Sequence, residues 1–98
     1  MRYYKAFWGE ARGDEYDSWG GCTFWYEVGD DGWPTRHMEV YEDGTVLQYG
    51  FGAVDEDEYG FLACGLIDPE EFPPGSETTE EAFKDAWTAA KPINPLIY

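Results

Sequence analysis

The sequence predicts an α+β domain, an antiparallel sheet of four to five strands that opens as an N-terminal meander, with one C-terminal helix packed on it. Three observations carry this. Residues 22–51 fall into three runs of alternating side chains parted by Gly- and Asp-rich turns, the period-two signature of strands joined by hairpins. Residues 78–91 place Phe83, Ala86, Trp87 and Ala90 on one helical stripe. The chain has 98 residues, 43% of them hydrophobic and 19% aromatic, enough for one core and far from the composition of a disordered chain.

The elements follow in order. Arg2 to Trp8 carries Tyr3, Tyr4, Phe7 and Trp8, the aromatic flavour of a strand. Gly9 to Gly21 has the glycines and acids of a solvated connection, yet it includes Tyr16 and Trp19, which are expensive to leave in water; this loop is a candidate binding element. Cys22 to Val28 sets Phe24, Tyr26 and Val28 against Thr23, Trp25 and Glu27. Gly29-Asp30-Asp31-Gly32 turns the chain. Trp33 to Tyr41 returns with Arg36, Met38 and Val40 on one face and Thr35, His37, Glu39 and Tyr41 on the other. Pro34 lacks the N–H of a central ladder, so it belongs at the strand's entry or on an unpaired side. Glu42-Asp43-Gly44 is a second turn, and Thr45 to Phe51 the next strand.

Beyond Gly52 the pattern changes. The acidic run Asp55-Glu56-Asp57-Glu58 precedes Tyr59 to Ile67, a Gly-punctuated apolar stretch that reads as a further strand of the same unit. Residues 68–77, with Pro69, Pro73, Pro74 and Gly75, read as a rigid connector. The helix is expected over 78–91, with Thr78 as N-cap and Glu81 three residues on as its capping-box partner. Residues 92–98 are too apolar for a free tail and are expected to dock. The whole is one domain, 1–98.

Charge bounds the function. Twenty-one Asp and Glu face 6 Lys and Arg, a formal net charge of −15 with a pI near 4.1. Such a surface repels nucleic acid and anionic membranes and draws in basic proteins. The opening residues lack the apolar run of a signal peptide, and nothing approaches a membrane span, so a cytoplasmic setting is expected, with Cys22 and Cys64 reduced rather than bridged.

No catalytic constellation stands out. His37 is the single histidine, and its strand neighbours Thr35 and Glu39 are ordinary company for a structural histidine at the surface or half buried. Nothing local would lower a cysteine pKa. The acidic run lacks the alternate spacing and glycine of an EF-hand loop, and no phosphate-cradling glycine motif occurs. The chain is therefore expected to be no enzyme and to use no cofactor or metal. Arg36 is placed to pair across the hairpin with Glu27.

The stretch from Tyr26 through Gly29-Asp30-Asp31-Gly32-Trp33 and Arg36 to Glu42-Asp43-Gly44, the opening Met1 to Trp8, and the closing Thr79-Glu80-Glu81-Ala82-Phe83 to Trp87 resemble a family of small acidic bacterial proteins of unknown function. The resemblance implies a one-domain sheet-plus-helix protein with a toxin-immunity or inhibitor role. Gly9 to Gly21 and Phe51 to Ile67 depart from that pattern.

Carboxylates interspersed with large aromatics are the residue types that recognise an Arg-rich surface. The partner-binding residues expected are Glu10, Asp14, Glu15, Tyr16, Asp17, Trp19, Trp25, Trp33, Asp55, Glu56, Asp57 and Glu58. The expected role is a stoichiometric inhibitor, of immunity or anti-defence type, acting on a basic and nucleic-acid-handling protein such as a nuclease, toxin or defence protein, with no direct contact to nucleic acid or membrane. The alternatives are a small-ligand module with an aromatic-lined sheet, and a structural or oligomerising domain.

Overall fold

The computed structural model describes residues 1–10, 12–50, 56–57, 59–63 and 65–93. Four strands, β1 (Arg2–Trp8), β2 (Cys22–Val28), β3 (Pro34–Tyr41) and β4 (Val46–Gly50), form the expected meander. A two-residue pair, β5 (Glu56–Asp57) and β6 (Gly60–Phe61), makes a separate small hairpin. The chain then returns as β7 (Glu77–Thr78) to the free side of β1 and enters the helix α1 (Glu80–Ala89). The sheet order is β4-β3-β2-β1-β7, antiparallel throughout, so the fold class expected from the sequence is the one observed.

Register sorts the side chains. Tyr3 opposes Glu27, which opposes Arg36; Lys5 opposes Trp25, which opposes Met38, which opposes Gln48. These share the face that α1 covers. Phe83 is fully buried there, its ring 5.4 Å from Tyr3 and 6.4 Å from Trp25, and Trp87 stacks on it at 5.8 Å. Burying one phenylalanine contributes about 1.5–3 kcal/mol, and such packing is what holds a helix of ten residues, too short to be stable alone. Gln48 Nε2 donates to the Trp87 carbonyl at 2.9 Å, tying the helix end to β4.

The opposite face carries Tyr4, Cys22, Tyr26, His37, Tyr41, Leu47 and Tyr49, and coil covers it instead of helix. Cys22, Tyr41, Leu47 and Tyr49 form its centre, with Trp19, Phe24, Tyr59 and Leu62 packed against them. Phe72 lies flat on Tyr4 with 4.9 Å between ring centroids. The sheet is thus the middle layer of three.

Several expectations are corrected. The register shifts between Glu27 and Val28, where a β-bulge makes Pro34 rather than Thr35 face Val28. Thr35 therefore leaves the face of His37 and Glu39 and donates its hydroxyl to Glu27 Oε1 at 2.7 Å. The bulge also requires Gly50, at φ 105°, because a Cβ there would sit 2.3 Å from the Thr35 carbonyl oxygen. Pro34 sits at the strand's entry, as its missing N–H demands.

Thr78 is a strand residue, and the N-cap is Thr79, whose hydroxyl accepts from the Ala82 amide at 3.1 Å. The position three residues beyond the cap is alanine, so no reciprocal capping box forms; Glu80 and Glu81 still favour the helix start through its dipole. The helix ends at Ala89, short of the expected residue 91. The connector holds a 3-10 turn, Pro69–Glu71, and ends in a strand the sequence reading missed. Among the described residues of Tyr59 to Ile67 only Gly60–Phe61 is strand, and it pairs with β5, outside the main sheet. Phe51 and residues 94–98 of the expected tail lie outside the described residues; Ile93 donates its N–H to the Val46 carbonyl at 2.9 Å.

Candidate functional site

Arg12 organises the loop between β1 and β2. Its Nε donates to Asp14 Oδ2 at 3.0 Å, its Nη1 to the Tyr41 hydroxyl at 3.3 Å, and its Nη2 to the Tyr59 carbonyl oxygen. The guanidinium lies 5.2 Å from the Tyr16 ring centre, 5.4 Å from that of Trp19 and 5.9 Å from that of Tyr41, within the range of cation–π attraction. Burial works against its charge, but Tyr41 and Asp14 outweigh burial and hold the pKa above its ordinary value. Asp14 is held below the usual carboxylate range, first by the Tyr16 amide at 2.8 Å and then by Arg12.

The 3-10 turn Asp17–Trp19 aims Trp19 inward. Trp19 meets Tyr41 at 5.1 Å and Tyr59 at 5.8 Å, while Tyr16 stacks on Trp19 at 4.6 Å. Tyr16 and Trp19 thus serve as a hydrophobic plug under the loop, which resolves the tension between a polar connection and two large aromatics. The plug leaves Glu10, Asp14, Glu15 and Asp17 outside, all exposed. Because Arg12 grips the Tyr59 carbonyl, the hairpin that carries Glu56 is drawn against the same loop. Tyr59, in the turn of that hairpin, also meets the Tyr16 ring at 5.3 Å, so the hairpin turn and the acidic loop are neighbours although far apart in the chain.

The remaining expected residues separate from this group. Trp25 lies half buried on the helix face, under the Lys5 ammonium at 4.8 Å. Trp33 is 49% exposed in the β2–β3 turn. Glu56 is exposed, Asp57 is placed by its backbone in β5, and Asp55 and Glu58 lie outside the described residues.

Behind the plug runs a hydrogen-bonded chain that the sequence reading did not assemble. His37, expected at or near the surface, is only 3% exposed. The Ala63 amide donates to its Nδ1 at 3.0 Å, which places the ring proton on Nε2, and Nε2 lies 2.8 Å from Glu39 Oε2. Glu39 Oε1 accepts from the Tyr41 hydroxyl, which in turn accepts from Arg12. The i, i+2 spacing of His37, Glu39 and Tyr41 on one strand face is the signal that could have found it.

No protein-family model, curated protein or solved structure matches the chain. The chemistry of the site therefore rests on its own geometry. Cys22 has its thiol pKa pushed up to about 12 by burial and by Glu39, which makes it a poor nucleophile at neutral pH. Burial, the Glu39 hydrogen bond and its charge raise Tyr41 strongly, and burial pushes Tyr26 up to about 12. These shifts keep the Tyr41 and Tyr26 hydroxyls and the Cys22 thiol protonated at neutral pH, so Tyr41 remains a hydrogen-bond donor to Glu39. Among the described residues no three His, Cys, Asp or Glu side chains gather as a metal-binding group, and no helix is long and apolar enough to cross a membrane.

A second polar cluster lies on the helix face. Glu27 accepts from Arg36 Nε at 2.9 Å and Nη2 at 2.7 Å, from Thr35 at 2.7 Å and from Tyr3 at 3.2 Å. Burial works to raise its pKa, but these donors outweigh it and hold it below the usual value. The Arg36 guanidinium stacks 4.8 Å from Trp87 and 5.0 Å from Phe83. Beside the pair opens a cavity of about 570 Å³ lined by Met1, Tyr3, Glu27, Thr35, Arg36, Glu80 and Lys84, a wall with one aromatic ring and mixed charge.

Proposed function

We propose that this protein is an acidic binding module that occupies the cationic surface of a basic, nucleic-acid-handling protein and so inhibits it stoichiometrically. The observation that carries the reading is the Arg12 clasp, which sets the acidic loop of residues 10–17 beside the acidic β5–β6 hairpin.

The distribution of cations supports it. Four of the six Lys and Arg side chains are in ion pairs with the protein's own carboxylates, Arg2 with Glu77, Arg12 with Asp14, Arg36 with Glu27 and Lys84 with Glu80. Lys5 covers Trp25. Among the described residues Glu10, Glu15, Asp17 and Glu56 have no Lys or Arg partner, so their charge is available to another molecule. Carboxylates held on a braced scaffold can stand where a nucleic acid would place phosphates, at a smaller ordering cost than flexible ones. The expected setting is the cytoplasm, with an immunity or anti-defence role.

The test is affinity capture from the native host at low salt followed by a salt series. A partner of high pI whose association slows steeply with ionic strength, and which is lost when Glu15, Asp17 and Glu56 are replaced together by Lys, supports the reading. Capture that survives molar salt and the triple replacement unchanged overturns it.

A further inference from the structure

The strand β7 is shorter than the edge it covers. It pairs Thr78 with Tyr3 and Glu77 with Tyr4, and the Lys5 amide reaches the Ser76 carbonyl at 2.8 Å; there the pairing stops, while β1 runs on to Trp8. Since Lys5 donates outward, Phe7, two residues on, also directs its backbone groups outward, and Ala6 and Trp8 turn theirs toward β2. The Lys5 carbonyl and the Phe7 N–H and carbonyl have no partner among the described residues. Phe7 and Trp8 flank this opening, 55% and 48% exposed, on opposite faces of the sheet.

We propose that this open stretch of β1 accepts an extended, Lys- or Arg-rich segment of the partner as an added antiparallel strand in line with β7. The inference rests on the functional reading above and deepens it by naming how the partner is held. An unpaired row of donor and acceptor groups is a template for strand addition, and main-chain bonds supply affinity while side chains choose the sequence. Charge selects the occupant. A second copy of this chain would bring a net charge of −15 against −15, whereas a basic segment is attracted. The chain also runs from Trp8 through Gly9 directly into Glu10 and the acidic loop, so a strand laid along Phe7 continues toward carboxylates. Lys5 occupies the helix face beside Trp25, so incoming cations are directed to the other face, where the Trp8 ring offers a cation–π surface.

The experiment uses the full chain and a synthetic peptide of alternating Lys and Val. In the unmodified protein the peptide slows hydrogen exchange at the Phe7 amide and leaves the Trp8 amide, already bonded within the sheet, as it was. Phe7→Pro removes the outward-facing N–H together with the ring, at a position where a strand tolerates proline, and weakens peptide binding about tenfold relative to Phe7→Ala, which removes the ring alone, the worth of roughly one hydrogen bond. Phe7→Tyr binds as the parent does. Unchanged exchange at Phe7 overturns the proposal whatever the variants do. So does a dimer in sedimentation that Phe7→Pro abolishes, which would assign the edge to a second copy. Binding that is lost on replacing Glu10, Glu15 and Asp17 by Lys but indifferent to Phe7→Pro overturns the strand addition and leaves the functional reading standing; indifference to both overturns the functional reading as well.

Discussion

Glu27 and Arg36 stand directly opposite each other on β2 and β3, and Arg36 closes on the carboxylate with two nitrogens while its flat face lies on Phe83 and Trp87. The pair joins the sheet to the helix, and its side chains are 8% and 15% exposed. Removing one member strands the other, so Arg36→Met is expected to cost about 3–5 kcal/mol in urea unfolding. The double variant Glu27→Leu/Arg36→Met is expected to lose less than Arg36→Met alone, because no buried charge is left behind.

The same pair sets an acid limit. Glu27 has a folded pKa below its ordinary value of 4.5, so its contribution is fully present above that value and is lost as pH falls from there through the folded pKa. Unfolding free energy measured by urea at successive pH values should decline below about 4.5, and the decline should flatten in Glu27→Gln.

Arg12→Gln keeps a polar group but removes the fork that reaches Asp14, Tyr41 and the Tyr59 carbonyl. The expected cost is about 1–3 kcal/mol, localised in its effects. Amide exchange should quicken in residues 13–20 and 59–63 and change little in β2 and β3, and partner capture should weaken although no exposed carboxylate has been altered.

Gly50→Ala confronts a φ of 105° and a contact of 2.3 Å with the Thr35 carbonyl. A loss of about 3 kcal/mol or more is expected by thermal or urea unfolding. Gly44→Ala meets no atom within 4 Å and should cost less, its φ of 95° being the sole burden.

Cys22 should resist thiol reagents in the folded protein. In a Cys64→Ser background, labelling at pH 8 is expected to proceed only as fast as the chain opens. Because the folded pKa, about 12, lies above the ordinary 9, folding stability should fall as pH rises from about 9 toward 12, and Cys22→Ala should lessen that fall.

The helix cap separates two adjacent threonines. Thr79→Ala should cost about 1 kcal/mol through the lost bond to the Ala82 amide, and Thr78→Ala distinctly less.

How much of this was legible follows from how local each signal is. The meander could be read because alternation and its turns lie within a few residues of each other, and the Glu27–Arg36 pair followed from the hairpin register. β7 could not, since two residues have no period and exist as strand only because Tyr3 and Tyr4 offer an edge. The bulge at Glu27 and Val28 leaves no compositional mark except Gly50, whose reason lies across the sheet at Thr35. The sequence favours Thr78 as the cap because it alone has a glutamate, Glu81, at capping-box spacing, whereas tertiary pairing takes Thr78 into β7 and leaves the cap to Thr79. In the site, the acidity of residues 10–17 was evident, but the inward turn of Tyr16 and Trp19 depends on Arg12 meeting Tyr41 and Tyr59, a contact between three distant parts of the chain.

The place of β7 also bears on how the molecule is made. Strands β1 to β4 leave the ribosome first, yet β1 waits for residues 77 and 78, and the hydrophobic side holding Tyr3, Trp25 and Met38 waits for Phe83. During that interval the nascent chain shows a greasy sheet and an uncovered margin, the state that chaperones recognise and that aggregates when synthesis is fast. A message that ends before Phe83 would therefore yield a chain with its meander encoded in full and no means of closing it.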